Sequence, residues 1–166
     1  MRNILPNVRS ILIAFGILFC VHVSAQTIPV VGLDYLESRL ENGADTTFVV
    51  NFWATWCGPC VKELPYFEAF GANRADENFK VLLVTLDFVN QLESKVIPFV
   101  KEKALKNEVL LMDEDKPNKW IPRVSEEWSG ALPATLFVNT EKKTRHFHEG
   151  SFKEGELELK LQKIGL

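Results

Sequence analysis

FWATWCGPC, residues 52–60, is the stretch that decides the fold. Two cysteines, Cys57 and Cys60, stand two residues apart directly after a run of apolar and aromatic residues. The overlapping run TTFVVNFWA, residues 46–54, is rich in β-branched and aromatic side chains and predicts a buried strand. The sequence that follows predicts a helix, because Pro59 suits a first helical turn. The cysteines are therefore expected where a buried strand ends and a helix begins.

The rest of the chain alternates between helical and strand patterns. Leu33, Leu36 and Leu40 share one face of a predicted helix over Gly32–Gly43. Further strands are predicted over 79–88, 107–113, 134–139 and 142–150. Helical segments are predicted over 90–106 and 152–165. Irregular or partly helical structure is predicted over 117–133. This order predicts an α/β sandwich in which helices flank a mixed central sheet.

Residues 1–25 have the layout of a secretory signal peptide. Arg2 and Arg9 give a positive start, Ile11–Val23 is an uncharged apolar stretch, and Val23-Ser24-Ala25 offers a cleavage site. An apolar stretch this short falls below the roughly 20 residues that a membrane-spanning helix needs. We therefore predict cleavage after Ala25, with a retained membrane anchor as the alternative.

Cleavage leaves one domain, residues 26–166, with a single cysteine pair. Cys20 departs with the signal, and the bulk of Phe19 before it argues against a lipidated cysteine. Removing Arg2 and Arg9 takes the formal net charge from −3 to −5. No block of basic residues points to nucleic acid. An exported domain would also reach a compartment in which disulfides persist.

The two predicted thiols are not equivalent. Cys57 meets the positive end of the helix dipole and free backbone N–H groups, both of which stabilise a thiolate. Cys60 lies one turn later and is expected to be less accessible. Residues three apart on a helix are neighbours, so the two sulfurs can form a disulfide. Cys57 is thus predicted to attack a substrate disulfide, and Cys60 to resolve the resulting mixed disulfide.

Two other roles for the pair are disfavoured. A zinc site needs further ligands, usually a second Cys or His pair. The histidines left after cleavage, His146 and His148, lie far along the chain on one face of a predicted strand, which we expect to be the solvent face. A purely structural disulfide would close a loop too short to remove much unfolded-state entropy. Redox chemistry without metal or other cofactor is therefore predicted.

The motif resembles the active site of the thioredoxin superfamily. FWATWCGPC at a strand-to-helix junction matches that site, and LPATLFVN, residues 132–139, resembles the strand opened by the family's cis-proline. VVNFWATWCGPCVKELP, residues 49–65, is similar to the exported TlpA-like branch, which includes ResA-type proteins. The resemblance covers nearly all of residues 26–166. It implies a thioredoxin-like fold with an insertion, residues 88–132, before the cis-proline strand.

The resemblance also implies a substrate-binding groove beside the cysteines. Pro133 is expected to be the cis-proline and to sit against the disulfide. Leu132 would present backbone groups to an extended substrate segment, as in strand addition. Trp56 is expected to shield the sulfurs and to form a docking surface with Gly58 and Pro59.

Glu63 is the candidate acid–base residue. Thioredoxin carries a buried Asp two residues before the first Trp of the motif, and this chain has Asn51 there, whose amide cannot take a proton. Glu63 lies three residues past Cys60 on the same helix face, and the TlpA-like branch has an active-site Glu at that place. The alternative is an exposed helix glutamate. Trp53 is expected in the core, whereas Trp120 and Trp128 either rim the site or pack inside.

These residues predict an exported thiol–disulfide oxidoreductase that reduces protein disulfides. The resemblance implies a location in the periplasm or cell envelope, disulfide-containing exported proteins as substrates, a membrane thiol relay as electron donor and, we expect, a monomer. One alternative is a thiol peroxidase, which is disfavoured because neither Cys57 nor Cys60 lies in a Pro-x-x-x-Thr-x-x-Cys setting. The other is a non-catalytic binding module that uses the groove beside Pro133.

Overall fold

The described residues form a six-stranded mixed sheet with helices on both faces. The computed structural model describes residues 27–75 and 78–166, and the predicted signal peptide, residues 1–25, lies outside them. The strands are β1 (Val30–Val31), β2 (Thr47–Trp53), β3 (Phe79–Thr85), β4 (Glu108–Met112), β5 (Ala134–Asn139) and β6 (Thr144–Glu149). The α-helices are α1 (Leu33–Glu41), α2 (Gly58–Asn73), α3 (Ile97–Glu102), α4 (Pro117–Val124) and α5 (Glu156–Lys163). The spatial order of the strands is β1-β4-β3-β2-β5-β6.

Strand β2 lies inside the sheet and is buried along its whole length. It pairs in parallel with β3, where Val49 faces Val81, and antiparallel with β5, where Val49 faces Phe137. A strand that is paired on both edges and covered on both faces has an almost continuously apolar sequence, as residues 46–54 show. The parallel pairing brings the carboxyl ends of β2 and β3 to the same edge of the sheet, where the cysteines lie.

Two apolar cores flank the sheet. Helices α2, α3 and α5 cover one face, and α1 and α4 cover the other. The predicted leucine face of α1 is confirmed, since Leu33, Leu36 and Leu40 are all buried against the second face. Alternation along β2 sends Val49, Asn51 and Trp53 toward the α2 face. Asn51 is therefore the polar residue that β2 delivers beneath the active-site helix.

The predicted helical stretch over 90–106 is divided into three pieces. A 3₁₀ turn at Val89–Gln91 runs into a π-helical turn at Leu92–Val96, and α3 follows. Pro98 lies in the first turn of α3, where its missing N–H does not break a helical hydrogen bond. The segment before α3 therefore uses other helical geometries, which a pattern of apolar spacing does not distinguish.

Three boundaries differ from the sequence pattern. Strand β1 was not predicted, because two residues are too short to show alternation. It pairs in parallel with β4 at the edge of the sheet. Helix α5 begins only after Gly155, whose φ of +77° is the left-handed conformation that glycine adopts easily. Strand β6 starts at Thr144 rather than 142, because the turn before it includes Lys143 with positive φ.

The expectation that His146 and His148 face solvent is wrong. Both side chains are half-buried on β6. The His148 ring centroid lies 4.4 Å from that of Phe152, and burial lowers the pKa of His148. The edge strand is therefore packed at His148 on the face that α5 shares, which is why this histidine is not fully solvated.

Candidate active site

The cysteine pair lies where β2 passes into α2. The Cys57 N–H donates to the Ala54 carbonyl at 3.1 Å, which closes the turn between strand and helix. Cys57 is the N-cap of α2, and its Sγ accepts a hydrogen bond from the Cys60 N–H at 3.3 Å. The two residues are joined by a disulfide, with their Cα atoms 5.2 Å apart. The predicted junction and the predicted proximity of the two sulfurs are confirmed.

The two sulfurs differ in exposure. Cys57 is 6% exposed and Cys60 is completely buried. On reduction, the N-cap sulfur keeps the helix dipole and the N–H groups of the first turn, which favour a thiolate. Cys57 is therefore the more accessible of the two sulfurs, and it lies at the start of the helix.

A buried carboxylate fixes the turn that carries the cysteines. Asp87, 2% exposed, follows β3 and accepts hydrogen bonds from the Thr55 N–H at 2.8 Å and the Thr55 hydroxyl at 2.6 Å. The Thr85 hydroxyl donates to the same carboxylate at 2.6 Å. Neutral donors, rather than a cation, thus satisfy this buried group. The position of Thr55, two residues before Cys57, is set by the end of the neighbouring strand.

The other wall of the site precedes β5. The Leu132–Pro133 peptide bond is cis, as the resemblance implies, and the Pro133 carbonyl accepts from the Gly150 N–H at 2.9 Å. Leu132 is half-buried, whereas Pro133 is buried at the start of the strand. The Trp128 indole N–H donates to the Ala131 carbonyl at 2.8 Å and so holds this wall from behind.

These two walls form an apolar groove of about 480 Å³, here called the active-site groove. Its lining residues are Trp56, Cys57, Gly58, Pro59, Leu86, Gly130, Ala131 and Leu132. The structure thus brings together Trp56, Gly58, Pro59 and Leu132, which sequence reasoning assigned to substrate binding. Pro133 lies beneath the surface and is not among the lining residues.

Glu63 is buried, so the alternative of an exposed helix glutamate is wrong. It is 1% exposed on α2, one turn past Cys60. Its Oε1 accepts from the Asn51 amide at 2.8 Å, and its Oε2 accepts from the Phe152 N–H at 2.7 Å. Burial raises the pKa of Glu63 to about 7, against the lowering effect of these two hydrogen bonds. A carboxyl with this pKa can exchange a proton near neutrality.

Asn51 connects the carboxyl to the sheet. Its amide also donates to the Thr135 hydroxyl on β5 at 3.2 Å, while its Oδ1 is buried without a hydrogen-bond partner among the described residues. The amide is therefore oriented with its donor group toward Glu63. This arrangement suits an ionised Glu63, which only accepts hydrogen bonds.

Three of the four tryptophans are buried and one is exposed. Trp53 is completely buried, as expected, and Trp56 is 59% exposed at the groove. Trp120 and Trp128 are each 5% exposed, so the packing alternative is the correct one for both. Trp128 packs against Phe52 with the rings tilted and their centroids 4.8 Å apart, and thereby supports the wall that its indole N–H holds.

Asp87 and Thr55 are the site residues that sequence reasoning missed. The available signal was a polar residue directly after a buried strand, at the carboxyl edge where α/β sheets place their sites. Within 27–75 and 78–166, no group of three or more His, Cys, Asp or Glu side chains is arranged to hold a metal ion. No helix in the same residues is long and apolar enough to cross a membrane.

Comparison with known proteins identifies the family of this chain. The Redoxin family model matches residues 23–160. The chain belongs to the Redoxin family. Thiol-disulfide oxidoreductase ResA of Bacillus cereus (strain ZK / E33L) is 32% identical over 115 residues, 69% of this Redoxin-family chain and 61% of the relative. Sporulation thiol-disulfide oxidoreductase A of Bacillus subtilis (strain 168) is 33% identical over 63 residues, 38% of each chain. The chain thus spans less than two thirds of the length of these relatives.

Solved structures confirm the thioredoxin-like fold. StoA from Bacillus subtilis superimposes with a TM-score of 0.53 at 24% identity, over 70% of this chain and 82% of that one. The thioredoxin-related protein from Neisseria meningitidis serogroup B gives a TM-score of 0.61 at 21% identity, over 74% and 86%. The predicted membership of the thioredoxin superfamily, with a ResA-like character, is confirmed.

The exposure of the two sulfurs predicts which thiol reacts first. In the reduced protein, limiting iodoacetamide should label Cys57 about tenfold or more faster than Cys60, because only Cys57 is accessible and dipole-stabilised. Mass mapping of tryptic peptides measures the ratio. Labelling in denaturant, where both thiols are exposed, is the control and should be equal. Preferential labelling of Cys60 in the folded protein would reverse the assignment.

The Asp87 hydrogen bonds predict a graded loss of stability. Asp87→Ala leaves the Thr55 N–H without an acceptor and should lower the free energy of unfolding by about 3 kcal/mol. Asp87→Asn keeps an acceptor and should lose less than half of that, since the threonine hydroxyls can reorient. Denaturant unfolding measures both, and amide exchange at Thr55 should accelerate with Ala. Asp113→Ala, at an exposed position, is the control; equal stability of all variants would remove Asp87 from this role.

The raised pKa of Glu63 predicts a pH-dependent stability. The folded protein holds this proton up to about pH 7, whereas an unfolded glutamate releases it near 4.3. The stabilisation that the neutral Glu63 carboxyl provides is therefore complete below the pKa of the unfolded state, near 4.3. It is lost as the pH rises through the pKa of the folded state, about 7. Relative to Glu63→Gln, the oxidised wild type should lose about 3 kcal/mol between pH 4 and 8.

Urea unfolding of wild type and Glu63→Gln across this pH range measures the difference. Glu68→Gln, on the same helix, is a control for the loss of one carboxylate; Glu68 accepts from the Lys106 and Asn107 N–H groups and has no comparable burial. Parallel pH profiles for wild type and Glu63→Gln would show that Glu63 does not hold its proton in the folded state.

Proposed function

We propose that this Redoxin-family chain is a thiol–disulfide oxidoreductase that reduces disulfides in other proteins. The observation that carries the proposal is the disulfide between an accessible N-cap Cys57 and a buried Cys60, beside an apolar groove. A structural cross-link needs neither this asymmetry nor a groove. The relatives ResA and Sporulation thiol-disulfide oxidoreductase A, both named as thiol–disulfide oxidoreductases, support the same reaction.

In the first step the Cys57 thiolate attacks one sulfur of a client disulfide. A Cys57–client disulfide forms, the client S–S bond breaks, and the leaving client sulfur departs as a thiolate that takes a proton from solvent. The active-site groove positions the client, with Trp56 and Leu132 on opposite walls. Backbone groups of Leu132 pair with the extended client segment, as in strand addition.

In the second step Cys60 resolves the mixed disulfide. Its thiol passes a proton to the ionised Glu63 carboxylate, and the resulting thiolate attacks the Cys57 sulfur. The Cys57–Cys60 disulfide forms, and the second client sulfur leaves as a thiolate. Two electrons have moved from the enzyme dithiol to the client. Burial of Glu63 beside the helix face of Cys60 supports its role as proton acceptor.

The cellular setting extends the proposal. We place the protein outside the cytosol as a monomer. Residues 1–25 are a signal peptide whose cleavage leaves residues 26–166; the alternative is that they stay attached as a membrane anchor. Its substrates are disulfide-containing exported proteins, and a membrane thiol relay returns two electrons to the disulfide after each cycle. Gly58-Pro59, the pair that thioredoxin also carries, supports the reducing direction. Mass analysis of the N-terminus after secretion tests the cleavage after Ala25.

Insulin reduction with dithiothreitol tests the activity. Wild type should accelerate the precipitation of insulin chains, and Cys57→Ser should abolish the acceleration. Consumption of hydrogen peroxide at a comparable rate would instead support the thiol peroxidase. Binding of reduced or oxidised client polypeptides without any turnover would support the non-catalytic module.

Trp56 provides a prediction on client docking. Truncating this exposed aromatic side chain, Trp56→Ala, should lower kcat/KM for insulin about fivefold, because it removes apolar contact area at the groove. Reduction of a small disulfide such as oxidised glutathione should change less than twofold. Leu159→Ala, which removes an equally exposed apolar side chain on α5, is the matched control. An equal loss for insulin and glutathione would place Trp56 in sulfur chemistry rather than docking.

A further inference from the structure

A second cleft continues from the active-site groove along the carboxyl edge of the sheet. This acidic cleft has a volume of about 420 Å³ and shares Leu86 and Gly130 with the groove. Its apolar wall includes Phe88, Val89 and Ile121. An extended polypeptide that leaves the groove past Leu86 therefore enters the acidic cleft without crossing a separate surface.

Exposed apolar side chains follow this path. Among the described residues, six large apolar side chains are markedly exposed, and three of them, Trp56, Phe88 and Val89, lie on the groove and the cleft. Phe88 is 71% exposed although it directly follows the buried Asp87. The hydrogen bonds of Asp87 therefore fix the chain directly before this exposed side chain. A cluster of this kind marks an interaction site more often than isolated exposed residues do.

The opposite side of the cleft carries negative charge. Asp113, Glu114 and Asp115 line it, and no Lys or Arg does. Glu114 accepts from the Leu33 N–H at 2.7 Å, which leaves Asp113 and Asp115 as exposed carboxylates. Neither of these two has an ion pair within 4 Å among the described residues. The cleft therefore offers two exposed carboxylates that are not held in a close ion pair, next to an apolar wall.

Basic side chains lie beyond the same carboxylates. Lys116, Lys119 and Arg123 line a neighbouring depression of about 390 Å³ together with the same three acidic residues and Trp120. Neither Leu86 nor Gly130, which the cleft shares with the active-site groove, lines this depression. Arg123 is already paired with Asp34 and Glu37. The cleft that adjoins the active-site groove therefore has carboxylates and an apolar wall, and no basic side chain, among its lining residues.

We propose that the acidic cleft binds the client chain that flanks the disulfide, and that it selects an extended segment with an apolar and a basic side chain. The apolar side chain packs on Phe88 and Val89, and the lysine or arginine pairs with Asp113 and Asp115. This inference rests on the proposed function and names the substrate class of the same site. Because the aspartates are exposed, their effect on association weakens with salt.

Matched disulfide-bonded peptides test the proposal. Each pair is identical except for Lys or Glu at one position, scanned from two to six residues on either side of the cysteine, a reach of roughly 20 Å in an extended chain. At the best position, kcat/KM for reduction should favour Lys over Glu about fivefold at low ionic strength. At about 0.5 M salt the preference should fall toward one, because the Debye length shrinks to a few ångströms.

Variants assign the preference to the cleft. The double variant Asp113→Asn with Asp115→Asn should abolish the Lys preference, and Phe88→Ser should slow both peptides of a pair about equally. The pair Glu126→Gln with Glu127→Gln is the matched control: it removes the same charge from exposed residues that do not line the cleft. That control should keep the full preference, and oxidised glutathione should be reduced equally by all variants.

Each outcome has a separate meaning. Turnover of all peptides with no difference between Lys and Glu, or a preference for Glu, would overturn the cleft proposal and leave the proposed function standing. Loss of the preference in the control pair would assign it to net charge, and would also overturn the cleft proposal. A wild type that reduces no peptide, insulin or glutathione would overturn the proposed function, and the cleft proposal with it.

Discussion

The position of β2 inside the sheet is the constraint on which the site depends. The strand is paired on both edges and covered by a core on each face, so its carboxyl end has a single location. From that end the chain turns directly into α2, which places Cys57 at a helix start and Cys60 inside the core. The neighbours of β2 complete the site: β3 is followed by Asp87, and β5 is preceded by Leu132 and Pro133.

Two buried carboxylates near the disulfide are held in different ways. Asp87 accepts three short hydrogen bonds from Thr55 and Thr85, which satisfy its buried oxygens and fix the turn before Cys57. Glu63 accepts only two, from Asn51 and Phe152, and burial raises its pKa to about 7. The first arrangement gives rigidity and the second gives a proton site. This division suits thiol exchange, in which one sulfur must be positioned and the other must lose a proton.

The sequence was sufficient for the fold class, a mixed sheet flanked by helices, for most of its helices and strands, and for the cysteine junction. Apolar runs and the Cys-x-x-Cys spacing are local signals, and the family resemblance added the cis-proline at Pro133. The burial of Glu63 could not be predicted, because helical spacing does not show what covers a helix face. In the structure, the Asn51 amide and the Phe152 N–H both donate to its carboxyl group. Asp87 was missed because Thr55, whose turn it fixes, lies 32 residues away in the chain. The half-buried histidines of β6 were misplaced because alternation along a strand does not show which of its faces is covered, as Phe152 covers His148.

The reduction potential of the Cys57–Cys60 pair as a function of pH is the most direct test of this account. Equilibration with a glutathione or dithiothreitol buffer should show one two-electron transition. Because a thiolate disfavours ionisation of the neighbouring Glu63, reduction should draw an additional proton near neutral pH. The wild-type potential should then fall more steeply than that of Glu63→Gln, by up to about 30 mV per pH unit. Identical slopes for the two proteins, or a disulfide that does not equilibrate with either buffer, would contradict the account.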